Sequence, residues 1–151
     1  MVASLPKGSS LACKPGMLFP VYPATSGSLV SQRRVHRIQG IAIELVRSKQ
    51  TLIERAFRNF ATKRYNHRPV RVKMLWKNIE TRILSAAVCR DESVYGECNE
   101  SQIWISKEKM NDIYLLGTML HEALHYGCTF NGNWICEDDE HTIFRSLGDD
   151  C

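Results

Sequence analysis

The stretch Asp112-Ile-Tyr-Leu-Leu-Gly-Thr-Met-Leu-His-Glu-Ala-Leu-His-Tyr-Gly127 contains an H-E-x-x-H motif at residues 121–125. Its apolar residues recur at positions 113, 116, 120 and 124, which predicts an amphipathic helix. On that helix His121 and His125 project from one face, about one turn apart. Both imidazoles can therefore bind one metal ion, and Glu122 can act on a metal-bound water as a general base. The motif predicts a zinc-dependent hydrolase, most simply a peptidase.

Length and composition predict one globular domain. The chain has 151 residues, of which 44% are apolar and 24% are charged. No stretch approaches the roughly 20 consecutive apolar residues of a membrane span, so no membrane partner is expected. Prolines interrupt residues 1–27, which lack the apolar segment of a secretory signal. We expect an irregular arm over 1–27, a single domain over 28–151, and an intracellular location in cytoplasm or nucleus.

Six cysteines permit three disulfides, and the pairs Cys89–Cys98 and Cys128–Cys136 could each close a short loop. In the absence of a secretory signal we expect reduced thiols instead. No two cysteines have the close C-x₂₋₄-C spacing of structural zinc sites. A metal site made of cysteines alone is therefore not expected.

The remaining patterns predict an α+β fold. Residues 31–65 have helical periodicity, as one helix or as two joined near 48–51, and Pro69 ends this region. Strand character marks residues 70–76, 82–89 and 102–106, and residues 91–101 resemble a loop. The fold class is thus an N-terminal helix or helices, a small sheet of about three strands, the H-E-x-x-H helix and a short closing helix.

Glycines and a turn motif predict the ends of the last two helices. Gly127 stands where a helix often ends in a left-handed residue, and Asn131-Gly132-Asn133 predicts a turn. The closing helix is predicted over 137–147, with acidic residues in its first turn and Gly148 after its end.

A catalytic zinc site usually has three protein ligands and a water. The candidates that follow His125 are Cys128, Cys136, Glu137, Asp138, Asp139, Glu140, His141, Asp149 and Asp150. Glu140 shares a helix face with the apolar residues Ile143, Phe144 and Leu147, where a carboxylate is costly unless it is paired or binds a metal. Glu140 is therefore the first candidate for the third ligand. His141, about 100° further round the helix, is the alternative, or else a hydrogen-bonding residue beside the site.

The motif residues His121, Glu122 and His125 resemble the zinc-binding helix of the zincin metallopeptidases. The order of elements over 31–148 is similar to that of their smallest members, the SprT-like proteins and minimal gluzincins. Cys128 and Asn131 stand where metzincins have a glycine and a third histidine, which disfavours that subclass. SprT-like proteins take a third histidine and gluzincins a glutamate, so the adjacent Glu140 and His141 leave the subclass open.

The resemblance implies peptide hydrolysis with Zn²⁺ as cofactor and a peptide or protein as substrate. By analogy with zincins, the strand at 102–106 would pair with an extended substrate through an open edge. Tyr114 and Tyr126 could stabilise an oxyanion, although each is more typical of a packing aromatic.

Two alternative functions stay open. Basic clusters at 33–37 and 63–73 would suit a SprT-like protease associated with nucleic acid, although a solvated helix face explains them more simply. A zinc-binding protein without peptidase activity is the other alternative, and the intact Glu122 argues against it.

Overall fold

The computed structural model describes residues 16–20, 27–89, 96–98 and 101–150, with only the backbone described for 96–98. Its helices are α1 Gln32–Ser48, α2 Gln50–Arg64, α3 Trp76–Leu84, α4 Asp112–Leu124 and α5 Glu137–Ser146. Its strands are β1 Ser28–Leu29, β2 Val72–Met74, β3 Ala87–Cys89, β4 Gly96–Cys98, β5 Ile103–Ser106, β6 Lys109–Met110, β7 Cys128–Phe130 and β8 Asn133–Trp134. The predicted α+β class is confirmed. Within the described ranges, no helix combines the length and the apolar character needed to cross a bilayer.

The predicted helical region 31–65 consists of two helices, α1 and α2. They separate at Lys49, where the backbone leaves helical geometry with φ −112° and ψ 16°. The side chain of Ser31 begins α1 by accepting a hydrogen bond from the backbone N–H of Arg34. The apolar residues that define the periodicity face inwards, since Val35 and Ile38 are fully buried. The break therefore lies inside the predicted interval 48–51.

The strand predictions around helix α3 are wrong in part. Residues 76–84 are helical, so the predicted strands 70–76 and 82–89 shrink to β2 and β3. Ile79 and Ile83, four positions apart, are fully buried on one face of α3, and Arg82 is buried beside them. This helix lies next to the H-E-x-x-H helix α4, which it supports.

Three strands form a mixed sheet in the order β3-β5-β4. Strand β5 pairs in parallel with β3 and antiparallel with β4. The predicted open edge on the strand at 102–106 is therefore wrong, because both edges of β5 are already paired. Strand β4 lies within residues 91–101, which the sequence predicted to be loop. Ile103 and Ile105 are fully buried, as expected for ordinary sheet residues.

A β-hairpin connects α4 to α5. Strands β7 and β8 pair antiparallel around Asn131 and Gly132, whose φ angles of 50° and 82° fit a two-residue type I′ turn. The predicted turn is thus confirmed, and it proves to be the tip of a hairpin. Strand β2 pairs with the other side of β7, giving the order β2-β7-β8. The hairpin directs the chain from the end of α4 back to the start of α5.

The described part of the predicted N-terminal arm packs into the core. Residues 16–20 form no helix, and Leu18 and Phe19 are 0% and 4% exposed. The backbone N–H of Leu18 donates to the carbonyl of Leu147, 2.9 Å away, at the end of α5. The ring of Phe19 lies 6.5 Å from that of Phe144. This short segment therefore stabilises the helix that carries Glu140 and His141.

Two thiols bear on the predicted state of the cysteines. Cys128 and Cys136 are both free, so the bridge between them does not form. Burial, with the charge of Glu140 next, raises the pKa of the Cys128 thiol to about 12. Cys13 and Cys151, and the side chain of Cys98, lie outside the described residues.

Candidate metal centre

Helix α4 presents the two histidines of the motif to each other. The side chain of Asn111 begins the helix by accepting a hydrogen bond from the N–H of Tyr114 at 2.8 Å. The last helical residue is Leu124, and His125 follows with φ −59° and ψ 138°. The Nε2 atoms of His121 and His125 lie 3.2 Å apart.

The helix therefore ends earlier than predicted, and a different residue makes the left-handed turn. Tyr126 adopts φ 60°, and Gly127 does not have a positive φ. A Cβ atom on Gly127 would lie 2.8 Å from the side chain of Ile79 on α3. Glycine is thus required at 127 by close packing of the backbone against α3, and the prediction of a left-handed residue there is wrong.

Helix α5 adds a third imidazole to the pair. The ring centroid of His141 lies 5.1 Å from those of both His121 and His125, which are themselves 4.9 Å apart. One ring nitrogen from each of the three lies within 4.8 Å of the others, close enough to bind one metal ion. The ring of Phe144 packs against the rings of His121 and His125 at 5.2 and 5.1 Å. The three imidazole rings thus converge next to the apolar ring of Phe144.

Two carboxylates contact the Nδ1 atoms of His121 and His125, on the side of each ring away from the close Nε2 pair. Oδ2 of Asp149 lies 2.5 Å from Nδ1 of His121, and Oε1 of Glu140 lies 3.0 Å from Nδ1 of His125. Oε2 of Glu140 also accepts the backbone N–H of Tyr126 at 3.2 Å. Glu140 is buried, as its helix face predicted, with 5% exposure. Its carboxylate faces the side of the His125 ring away from His121, and it is His141 that joins the cluster of three.

These contacts determine which nitrogen of each ring carries the proton. An ionised carboxylate only accepts hydrogen bonds, so both Nδ1 atoms donate, and each ring keeps a lone pair on Nε2 when it is neutral. The two lone pairs then face each other across 3.2 Å. Two nitrogen ligands of a tetrahedral zinc ion, each at about 2.0–2.1 Å, lie about 3.3 Å apart. The pair is therefore spaced and oriented to share a cation.

The environment changes the proton affinities of two rings of the cluster. Burial disfavours the charged form of His121, but the hydrogen bond and charge of Asp149 outweigh it, so the pKa of His121 is raised. Burial, followed by the neighbouring His121 and His125, lowers the pKa of His141. Near neutral pH, His141 is thus available as the neutral imidazole that a metal requires.

Glu122 lies between the two motif histidines on α4. It is 9% exposed, and its charge is among those that raise the pKa of His121, after burial and the effects of Asp149. Within the described residues its carboxylate is not held by another side chain, in contrast to those of Glu140 and Asp149. A carboxylate next to the histidines and without a side-chain partner among the described residues is what general-base catalysis needs.

Tyr114 and Tyr126, the two tyrosines considered for an oxyanion role, lie outside the cluster of three histidines. The ring of Tyr126 packs between Trp134, at 5.6 Å between centroids, and the guanidinium of Arg82, at 5.5 Å. Tyr114 lies in the first turn of α4, about two turns before His121. The packing role is the better description of Tyr126.

Part of the basic cluster at 33–37 stabilises the fold. Arg34 and Arg37 both form ion pairs with Asp112 at the start of α4. Arg34 also donates to the backbone carbonyls of Ser28 and Met110, which ties α1 to β1 and β6. Burial raises the pKa of Asp112, but the hydrogen bonds and charges of Arg37 and Arg34 outweigh it, so the net pKa is lowered. These two arginines therefore hold the start of α4 against α1.

Sequence reasoning did not single out two residues beside the site. Asp149 was one of nine downstream candidates, and its position just after Gly148, with φ 100°, is the only local signal for it. Arg82 was assigned to a strand, yet its guanidinium donates to the carbonyl of Ala123 at 2.8 Å and to that of His125. Its charge gave no hint of complete burial.

Comparisons with protein-family models, with curated proteins and with solved structures found no match to this chain. The resemblance to zincins therefore stays an expectation based on the motif. The functional interpretation rests on the geometry of the cluster itself.

Proposed function

We propose that the protein is a zinc-dependent peptidase in which His121, His125 and His141 bind the metal and Glu122 is the general base. The observation that carries the proposal is the 3.2 Å separation of the Nε2 atoms of His121 and His125, with the ring of His141 beside both. In the neutral rings the two lone pairs repel unless a metal ion or a proton lies between them, and a ring nitrogen of the third imidazole lies within 4.8 Å of both other rings' ligand atoms. This assignment reverses the order of the two candidates for the third ligand.

The donor set favours zinc among the common protein metals. Three neutral imidazoles suit zinc, copper, iron or nickel, whereas magnesium and calcium prefer oxygen ligands. Three protein ligands also leave a fourth position for water or substrate, which is typical of catalytic zinc. When bound, zinc supplies Lewis-acid polarisation that lowers the pKa of water to about 7.

The three carboxylates and the phenylalanine of the site have distinct roles. Asp149 and Glu140 accept the Nδ1 protons of His121 and His125, which fixes the tautomers and the ring orientations. Glu122 accepts a proton from the water that attacks the scissile carbonyl and then donates it to the leaving amine. The buried ring of Phe144 packs against His121 and His125, and an apolar neighbour strengthens electrostatic interactions within the site.

A peptide or protein substrate is proposed because H-E-x-x-H with an intervening glutamate is a peptidase arrangement. We rank the alternative of a nucleic-acid-associated protease lower, because Arg34 and Arg37 of the first basic cluster form ion pairs with Asp112. Zinc binding without hydrolysis would leave Glu122 without a task.

The test separates metal binding from catalysis. We expect elemental analysis to find one zinc ion per chain in the wild type and little in the His121→Ala/His125→Ala double variant. Glu122→Gln should keep the zinc but lose hydrolysis of a denatured protein substrate by about two to four powers of ten. The matched control is Glu108→Gln, an exposed glutamate outside the site, which should retain full activity.

Two results would contradict the proposal. Stoichiometric zinc in the double variant would place the metal elsewhere. Wild-type turnover by Glu122→Gln, on any substrate that the parent cleaves, would remove Glu122 from the mechanism.

A further inference from the structure

Arg82 on α3 is a fully buried cation, and no acidic residue among the described ones pairs with it. Its side chain is 0% exposed, and Nη1 donates to the backbone carbonyls of Ala123 and His125 at the end of α4. Its Nε and Nη2 atoms have no hydrogen-bond partner within the described part of the chain. Burying a guanidinium in this way is costly, so the contact at the end of α4 calls for an explanation.

A second side chain of α3 holds the next residue of the same turn. Nδ2 of Asn78 donates to the carbonyl of Tyr126 at 2.9 Å. The ring of Tyr126 lies under the guanidinium of Arg82, with 5.5 Å between Cζ and the ring centroid. Ile79 packs so closely on Gly127 that no Cβ atom fits there. Helix α3 therefore contacts each residue from His125 to Gly127.

This turn departs from ordinary helix termination. The left-handed position that usually holds glycine is occupied by Tyr126 with φ 60°. Such a conformation persists in a residue with a side chain only where the surroundings fix it. The carbonyls at the end of a helix carry partial negative charge, which a guanidinium neutralises. Arg82 and Asn78 donate hydrogen bonds to three carbonyls of this irregular end, those of Ala123, His125 and Tyr126.

The consequence falls on His125. Because the helix stops at Leu124, the orientation of the His125 ring depends on how the following turn is held. That turn lets Nδ1 of His125 meet Oε1 of Glu140 while Nε2 faces His121. The N–H of Tyr126 binds the other oxygen of the same carboxylate, so one shift would disturb both contacts.

We propose that Arg82, assisted by Asn78, is a positioning residue that holds His125 in its metal-binding orientation. The part of this inference that concerns metal affinity rests on the proposed function. The positioning itself is a property of the metal-free chain. A buried residue that only stabilises the core would affect the folding equilibrium and leave the geometry of the folded site unchanged.

The variants separate positioning from stability. Arg82→Met removes the donors and the charge and keeps an apolar side chain of similar length. Arg82→Lys keeps the charge but lacks the planar guanidinium, so we expect partial rescue. Asn78→Ala removes a single donor from a partly buried site, so it tests the same turn with less effect on folding. The matched control is Ile83→Ala, which truncates a fully buried neighbour on α3 that donates no hydrogen bond to α4.

Three measurements are made on folded protein. We expect Arg82→Met to weaken zinc affinity by about 10–100-fold, as for other residues that orient metal-binding histidines. The loss should be smaller for Arg82→Lys and Asn78→Ala, and Ile83→Ala should match the wild type. The visible absorption of the cobalt-substituted protein should change in the Arg82 and Asn78 variants only. In metal-free protein, the amide of Gly127, which bonds to the carbonyl of Leu124, should exchange faster in these variants relative to amides of α1.

The outcomes distinguish this inference from the proposed function. Wild-type zinc affinity, cobalt spectrum and Gly127 exchange in both Arg82→Met and Asn78→Ala would overturn the positioning role. An equal loss in Ile83→Ala would overturn it too, because it would show a general effect of core stability. If Arg82→Met does not fold, Asn78→Ala and Arg82→Lys decide. If the wild type binds no zinc, the proposed function fails, and hydrogen exchange in the metal-free protein still decides the inference.

Discussion

Replacing His141 by Ala and, separately, Glu140 by Gln tests which of the two binds the metal. The first change removes one of the three ring nitrogens that lie within 4.8 Å of one another. The second keeps an oxygen that can still accept the hydrogen bond from Nδ1 of His125, which lies 3.0 Å from Oε1 of Glu140 in the wild type. If the cluster of three histidines is the metal site, the two variants should differ strongly in zinc affinity.

The magnitude follows from the number of ligands. Four-ligand zinc sites bind with about 10–16 kcal/mol, or about 2.5–4 kcal/mol per ligand. Since about 1.4 kcal/mol is tenfold in affinity, the loss of His141 should weaken zinc binding by about two to three powers of ten. A changed partner of a ligand costs about 10–100-fold, and Glu140→Gln should fall at the lower end because the hydrogen bond from Nδ1 remains.

The assay is competition for zinc against a chromophoric chelator, with all variants at one pH. A single pH matters because burial and the neighbouring rings lower the pKa of His141, so protons compete differently at each site. His36→Ala, an exposed histidine on α1, is the control for the loss of an imidazole away from the cluster. A larger loss for Glu140→Gln than for His141→Ala would refute the assignment and restore Glu140 as the third ligand.

Three further predictions follow from the same structure. Gly127→Ala should lower zinc affinity, because its Cβ atom would lie 2.8 Å from the side chain of Ile79. Gly132→Ala should cost about 1–2 kcal/mol of stability, because Gly132 has a φ of 82°, and should leave zinc affinity unchanged. Thermal unfolding with and without zinc checks both variants. The pKa of the paired Asp112 carboxylate is lowered, so it should stabilise the fold above its unfolded pKa of about 3.9 and lose that contribution as the pH falls through its folded pKa. In Asp112→Asn, the free energy of unfolding of the metal-free protein, measured in urea, should therefore fall less steeply at acidic pH. Alkylation followed by peptide mapping should label the exposed Cys136 well before Cys128, whose thiol is buried with a pKa of about 12; equal labelling would contradict the packing around β7.

The helices were predictable where local spacing determines them. The H-E-x-x-H helix and the closing helix follow from apolar residues at a period of 3.6. The same period predicts helix over 31–65 and leaves open whether it is one helix or two. Strand pairing was not predictable in the same way. The two-residue strands β1 and β6 pair across most of the chain, and β5 is enclosed by partners on both sides. Those pairings depend on tertiary contacts that no local pattern encodes.

The exchange of roles between Glu140 and His141 shows where helical-wheel reasoning stops. It placed Glu140 on the buried face, and that carboxylate is indeed 5% exposed. A buried direction does not say which side of a neighbouring ring the carboxylate meets. Here it meets Nδ1 of His125, whereas the ring of His141, at the edge of the face, lies 5.1 Å from that of His125 and contributes a nitrogen to the cluster of three. The distinction depends on how α5 packs against the end of α4, which is set by the hairpin between them.

The burial of Arg82 also could not be predicted from local sequence. Its segment has apolar residues that fit either a strand or a short helix, and α3 has no side-chain cap to mark its beginning. A charged residue in such a segment is normally assigned to the surface, since arginine is rarely buried without a partner. Its burial follows from an acceptor elsewhere in the fold, the carbonyls at the irregular end of α4. At that end His125 leaves the helix and contacts both Glu140 and His121. The burial of Arg82 therefore depends on the packing of α3 against this turn, which no local pattern in the sequence encodes.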